Sequence, residues 1–234
     1  MKLHTLVTLL AVGIALGARG GLYTEGPYNS GFANGGNILD GNATGWSDTR
    51  NVTDIPAGMT VGGLTVTFTI SGGYNGDLYG YLSHDGALIP LLNRVGTGTG
   101  SMSDPTYYFG YGDAGFSGVT LSDSASVNIH NYGGGFIPGG TYQPDSGGLT
   151  FAGTFGGLGA DGGWTLFLAD LSSGGGQSTV VSWSLGITAV PEPVNVALGI
   201  FAGVSACVVV ARSRRVRGRV QRWRAAVTQW IDAV

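Results

Sequence analysis

Leu64-Thr65-Val66-Thr67-Phe68-Thr69-Ile70 sets four large apolar residues against three threonines in strict alternation. Successive side chains of a strand point to opposite faces, so this stretch reads as a β-strand with Leu64, Val66, Phe68 and Ile70 turned toward a core. Val181, Trp183, Leu185 and Ile187 interleave with Ser182, Ser184, Gly186 and Thr188 at the same period. Shorter apolar runs at 78–82, 88–92, 119–121, 127–129 and 164–169 read as further strands. Glycine-rich turn signals separate them: Ser71-Gly72-Gly73, Asn75-Gly76-Asp77, His84-Asp85-Gly86, Gly133-Gly134-Gly135, Asp161-Gly162-Gly163 and Gly174-Gly175-Gly176. No amphipathic helical pattern interrupts this region. The expected fold is therefore all-β, a jelly-roll-like sandwich of two sheets over residues 61–190. Residues 19–60 scatter Tyr23, Tyr28, Phe32, Ile38 and Trp46 among Gly and Asn, and read as an N-terminal arm or as first strands of the same domain.

The two ends of the chain predict its topology. Lys2 precedes an apolar run from Leu6 to Leu16, and small residues follow at Gly17 and Ala18, the layout of a secretory signal peptide over residues 1–18. A second apolar segment, 194–211, has no charge and is followed at once by Arg212, Arg214, Arg215, Arg217 and Arg219. Its length suffices for a transmembrane helix, and the arginines hold residues 212–234 on the cytoplasmic side as a basic amphipathic tail. Everything before it is then expected outside the cytoplasm, joined to the span by the short linker 191–193.

Charge divides along the same line. Between Arg19 and Pro193 only Arg19, Arg50 and Arg94 oppose thirteen carboxylates, while seven arginines follow from Arg212 to Arg224. An acidic exterior offers no cationic surface for phosphates and so excludes nucleic acid as a partner. Anionic lipid headgroups account for the basic tail. Cys207 is the single cysteine and lies in the apolar span, so no disulfide braces the exported part.

Candidate chemistry is sparse. Beyond the signal peptide only His84 and His130 could take up a proton in a Ser-His-Asp constellation, and no Gly-x-Ser-x-Gly elbow surrounds a serine, so no enzyme activity is expected. Two separated histidines do not make a zinc site. Calcium suits the loop carboxylates better, and Asp77, Asp85, Asp113, Asp161 and Asp170 are its candidate ligands, although no EF-hand spacing joins them. Tyr74, Tyr79, Tyr81, Tyr107, Tyr108 and Tyr111 cluster in the first half. Tyr79 and Tyr81 share a strand face opposite Leu78 and Leu82, placing them either against a sugar or protein partner or in the packing of the sandwich.

Several ordered motifs resemble the P domain, or Homo B domain, the β-sandwich that follows the catalytic domain in subtilisin-like proprotein convertases. Gly76-Asp77-Leu78 with Leu82-Ser83-His84-Asp85-Gly86 is similar to its early motif, with His84 in place of a proline and Ala87 in place of a threonine. Phe109 with Asp113-Ala114 resembles the middle motif. Pro138, then Leu149, Phe151 and Gly153, then Gly163-Trp164-Thr165-Leu166 with Asp170, and finally Trp183-Ser184-Leu185 follow the family order. The resemblance covers residues 62–187 and implies a non-catalytic sandwich. Pro191-Glu192-Pro193, the apolar span and the arginines resemble a PEP-CTERM sorting signal, which implies recognition by an exosortase-type sorting enzyme at Pro191, Glu192, Pro193, Arg212, Arg214 and Arg215. That family's signals end soon after the arginines, whereas this chain continues to Val234.

These readings predict an exported, membrane-anchored, non-catalytic module that binds an extracellular protein or polysaccharide, with its anchor retained or cut to release it to the cell surface. Two alternatives stand beside it: an accessory domain for a separately encoded serine peptidase, implied by the P-domain resemblance, and a calcium-dependent adhesin.

Overall fold

The computed structural model describes residues 20–96 and 110–231. The expected signal peptide, and Tyr107, Tyr108 and Phe109, lie outside the described residues. Residues 20–190 form one compact unit, a sandwich of two sheets. The first sheet takes β1 (Gly21–Tyr28), β10 (Ser178–Pro191), β4 (Met59–Gly72), β7 (Gly115–Ser122) and β8 (Gly140–Tyr142) in that order, and β2 (Asn37–Ile38) also pairs β10. The second takes β3 (Asn42–Val52), β9 (Gly162–Asp170), β5 (Leu78–His84) and β6 (Ala87–Asn93). Residues 21–52 thus feed strands into both sheets.

Alternation drives the packing. Leu64, Val66, Phe68 and Ile70 of β4 are buried, as are Leu78 and Leu82 of β5 and Trp164, Leu166 and Leu168 of β9. Each such side chain contributes roughly 1.5–3 kcal/mol on leaving water. Thr65, Thr67 and Thr69 of β4 face outward instead, where the hydroxyls of Thr67 and Thr120 meet at 2.8 Å across the β4/β7 pair. The sheets are also tied by polar groups: the indole of Trp183 on β10 donates to Asp48 Oδ2 of β3 at 2.7 Å, and Arg50 Nε donates to the same oxygen at 2.7 Å. The Arg50 guanidinium lies 4.7 Å from the centre of the Tyr28 ring. Burial and the neighbouring Glu25 push the Tyr28 phenol up to about 12.

Three local expectations change. Val181 is not a core residue: Val180 is buried and Val181 is 46% exposed, because the alternation of β10 slips by one residue before Trp183. Residues 127–129 form no strand. Asn128 Oδ1 accepts a hydrogen bond from His130 N at 2.8 Å and caps a single 3-10 turn, Ile129–Asn131, a use of Asn that competes with strand pairing. A short helix, α1 (Phe151–Phe155), does precede the anchor. Thr150 caps it through Gly153 N, and both its phenylalanines are buried.

The second unit contributes one continuous helix, α2 (Pro193–Ile231). Pro193 opens it, a first-turn position where a proline loses no helical hydrogen bond. The expected span and tail therefore share one helix without a break, and the stretch Val196–Trp223 is long and apolar enough to cross a membrane.

Asn75, fully buried, works as a substitute strand. Its Oδ1 accepts from Gly115 N and its Nδ2 donates to Gly115 O, both at 2.8 Å, and Nδ2 also reaches Tyr132 Oη at 3.2 Å. Asn75→Ala leaves two buried backbone groups unpaired and is expected to cost about 2–4 kcal/mol, read as a lower urea midpoint with unchanged m-value.

Candidate functional site

Of the expected calcium ligands, Asp77 and Asp85 are held apart by a strand. Asp77 immediately precedes β5 and Asp85 immediately follows it, so about 26 Å of extended chain lies between them. Asp113 is engaged elsewhere: its carboxylate accepts from Tyr132 Oη at 2.6 Å and from Gly135 N at 3.0 Å. Burial, and then the bond to Asp113, raise the Tyr132 phenol strongly. Asp161 is exposed in the turn before β9. Among the described residues no group of three or more His, Cys, Asp or Glu side chains is arranged to hold a metal ion.

Asp77 and Asp170 do come together. The β5/β9 register sets Leu78 opposite Asp170, which brings the end of β9 to the start of β5. Both carboxylates are buried, at 4% and 0% exposure. Asp170 Oδ1 accepts from Ser172 N at 3.1 Å, while its Oδ2 has no hydrogen-bond partner among the described residues. The counter-charge is Arg94, whose Nη2 lies 3.6 Å from Asp77 Oδ1 and whose Nε donates to Gly76 O at 3.1 Å. Asp40, beyond the candidates chosen from sequence, stands near both carboxylates and accepts from Gly174 N. No local pattern links Asp40 to that partner across 134 residues.

At the opposite end of β5, His84 is buried and stacked flat on Trp164, with ring centres 3.9 Å apart. Its Nδ1 meets Gly163 O at 2.9 Å and its Nε2 meets Gly159 O at 2.7 Å. Both partners are backbone carbonyl oxygens, so the ring is held by the chain on either side of the turn at Asp161. The ring of His84 is therefore a structural brace. His130 Nδ1 lies 2.7 Å from Asp145 Oδ2, and among the described residues no serine hydroxyl hydrogen-bonds its Nε2.

Tyr79 and Tyr81 lie on the solvent side of the four-stranded sheet, half-buried. Directly opposite residues share a face, which gives rows across the strands. One row runs Ser47, Phe167, Tyr81, Pro90, and the next runs Thr49, Thr165, Ser83, Leu88. Phe167 stacks on Tyr81 at 4.6 Å with planes 16° apart, and Tyr79 meets Tyr81 edge-on at 6.4 Å. The Phe167 ring leans over β3 at Gly45, where an added Cβ would stand 2.6 Å from Cζ; glycine there, at φ +66, permits both the ring and the shift in β3 pairing. Phe167 was legible in the sequence as the aromatic out of phase with Trp164, Leu166 and Leu168. The other described tyrosines of the cluster are not part of this face: Tyr111 packs on Tyr132 at 4.7 Å, and Tyr74 is 40% exposed in the turn before β5. Of the sorting residues, Pro191 ends β10, Pro193 begins α2, and Arg212, Arg214 and Arg215 are exposed on α2.

No family model and no curated protein matches the chain, so the P-domain and PEP-CTERM resemblances rest on the motifs quoted above. Among solved structures, the chain is similar to the serine protease of Aeromonas sobria in complex with its chaperone, at 16% identity, over 78% of this chain and 29% of that one, with a TM-score of 0.42. It is likewise similar to the Aeromonas sobria protease alone, at 16% identity, over 75% and 29%, with a TM-score of 0.41. The chain thus spans less than a third of the length of the proteins it matches.

Burial is the main cause that raises Asp77 to about 6, reinforced by Asp170 and opposed by Arg94; burial also raises Asp170. A carboxyl raised on folding binds its proton more tightly in the folded chain than in the unfolded one. Its stabilisation is complete below about pH 4 and is lost as pH rises to about 6. The loss is on the order of 2 kcal/mol. Unfolding of wild type and Asp77→Asn across this window is expected to show a declining stability for the former and a flatter profile for the latter; equal slopes would remove Asp77 as the cause.

Proposed function

We propose that this chain is an exported, membrane-anchored, non-catalytic sandwich that engages a macromolecular partner through the outer face of β3, β9, β5 and β6. The observation that carries this reading is the contrast between its two broad outer faces. Across the β4/β7 pair the outer face presents threonine hydroxyls that pair with one another. Across β9, β5 and β6 it presents Tyr79, Tyr81, Phe167 and Pro90. A face that only needs wetting is served by threonine, whereas half-buried aromatics held in a row offer contact area at low entropic cost.

Anchoring is supported by α2: the uncharged run 194–211 gives about 27 Å of helix, close to the hydrocarbon thickness of a bilayer. The arginines that follow favour the cytoplasmic side. The non-catalytic reading is supported by His84, whose ring nitrogens are both committed to backbone carbonyls.

The test places a photo-crosslinking amino acid at Thr165, on the aromatic face, or at Thr67, on the threonine face, of the full chain in Gram-negative cells. Adducts are expected from Thr165 and not from Thr67, together with external protease cleavage of the sandwich in intact spheroplasts. Absence of Thr165 adducts, or equal yields from both sites, overturns the partner face. Labelling of a serine by a fluorophosphonate probe overturns the non-catalytic assignment.

A further inference from the structure

The rows that define the aromatic face contain no charged residue. Ser47, Phe167, Tyr81 and Pro90 form one, and Thr49, Thr165, Ser83 and Leu88 the other. This is notable in a region where thirteen carboxylates oppose three arginines. The carboxylates of the second sheet are placed off this face: Asp77 and Asp85 flank β5 at its two ends, Asp170 is buried at the end of β9, and Asp48 points inward to Trp183. Among the described residues, a partner that docks on these rows meets hydroxyl groups and rings, and finds no ion to pair with.

We infer that the face binds a neutral polysaccharide, a ligand class that rests on the partner-face reading above. Sugar rings present apolar C–H surfaces bordered by hydroxyls. They match a surface in which Tyr81, Phe167 and Tyr79 supply apolar area and Ser83, Thr165 and Thr49 supply donors and acceptors. Charge decides between occupants. A polyanionic glycan is repelled by the acidic domain and gains no cation on the face. A basic protein is drawn to the carboxylate-bearing ends of the strands, not to the rows between them. A neutral polymer brings no charge that must be stripped of water without a partner. The register also favours a chain-like ligand, because the rows continue across four hydrogen-bonded strands and the rings of adjacent strands touch.

The test uses the full chain in lipid nanodiscs, titrated onto immobilised neutral polymers (β-glucan, mannan and dextran) and anionic ones (alginate and heparin). Binding to at least one neutral polymer is expected, unchanged between low and high salt. Tyr81→Ala and Thr165→Glu are each expected to weaken it roughly tenfold, the scale of one packed aromatic contact. Thr67→Ala should leave it intact, and the Thr165→Glu variant should retain the wild-type melting temperature, which separates lost binding from lost fold. Binding confined to anionic polymers and abolished by salt overturns the inference, as does neutral-polymer binding that both face variants keep. If no neutral polymer binds while Thr165 still forms adducts to a protein in cells, the glycan assignment fails and the partner face survives. If neither occurs, both fail.

Discussion

Strand β9 pairs β5 from Leu78 opposite Asp170 to His84 opposite Trp164, and most of the chemistry in this protein hangs on that register. Within seven residues of β5 it sets Asp170 beside Asp77, Phe167 against Tyr81, and Trp164 under His84. A slip of one residue would send Leu166 and Leu168 to solvent and turn Phe167 into the core. The alternation of large apolar residues on both strands therefore fixes the core and the outer face in one step. The bulge of β3 at Gly45 completes the arrangement by making room for the Phe167 ring.

The buried carboxylates work against this economy of packing. Among the described residues Asp170 keeps one oxygen with no hydrogen-bond partner, and Asp77 shares its surroundings with Asp170, Asp40 and Arg94. Such groups cost desolvation that the nearby guanidinium only partly offsets, and their protons are held accordingly. The sandwich thus carries its least satisfied polar groups at one end of β5 and a fully engaged histidine at the other.

Reading period-2 runs located the strands well where burial is one-sided. The runs at 64–70, 78–82, 88–92, 119–121 and 164–169 all fall within strands. The reading failed where a local hydrogen bond or a phase slip intervened. Asn128 caps a turn instead of extending a strand, and β10 shifts its alternation so that Val180, not Val181, faces inward. The helix α1 escaped notice because five residues are too few to show a helical period, and tertiary burial of Phe151 and Phe155 supports it.

By itself the sequence determined the all-β character, the apolar C-terminal helix, the uneven division of charge and that Tyr79 and Tyr81 share one strand face opposite Leu78 and Leu82, since each depends on composition or on neighbours two residues apart; that this face is the outer one was decided by the structure. Only the tertiary structure decided which carboxylates meet, that Phe167 joins Tyr81, and that Asp40 and Arg94 belong to the acidic cluster. The physical reason is range. Alternation is a property of one strand, whereas a site spread over β3, β5 and β9 depends on how strands distant in the chain are registered. That register is set by core packing and hydrogen-bond pairing, which no single segment contains.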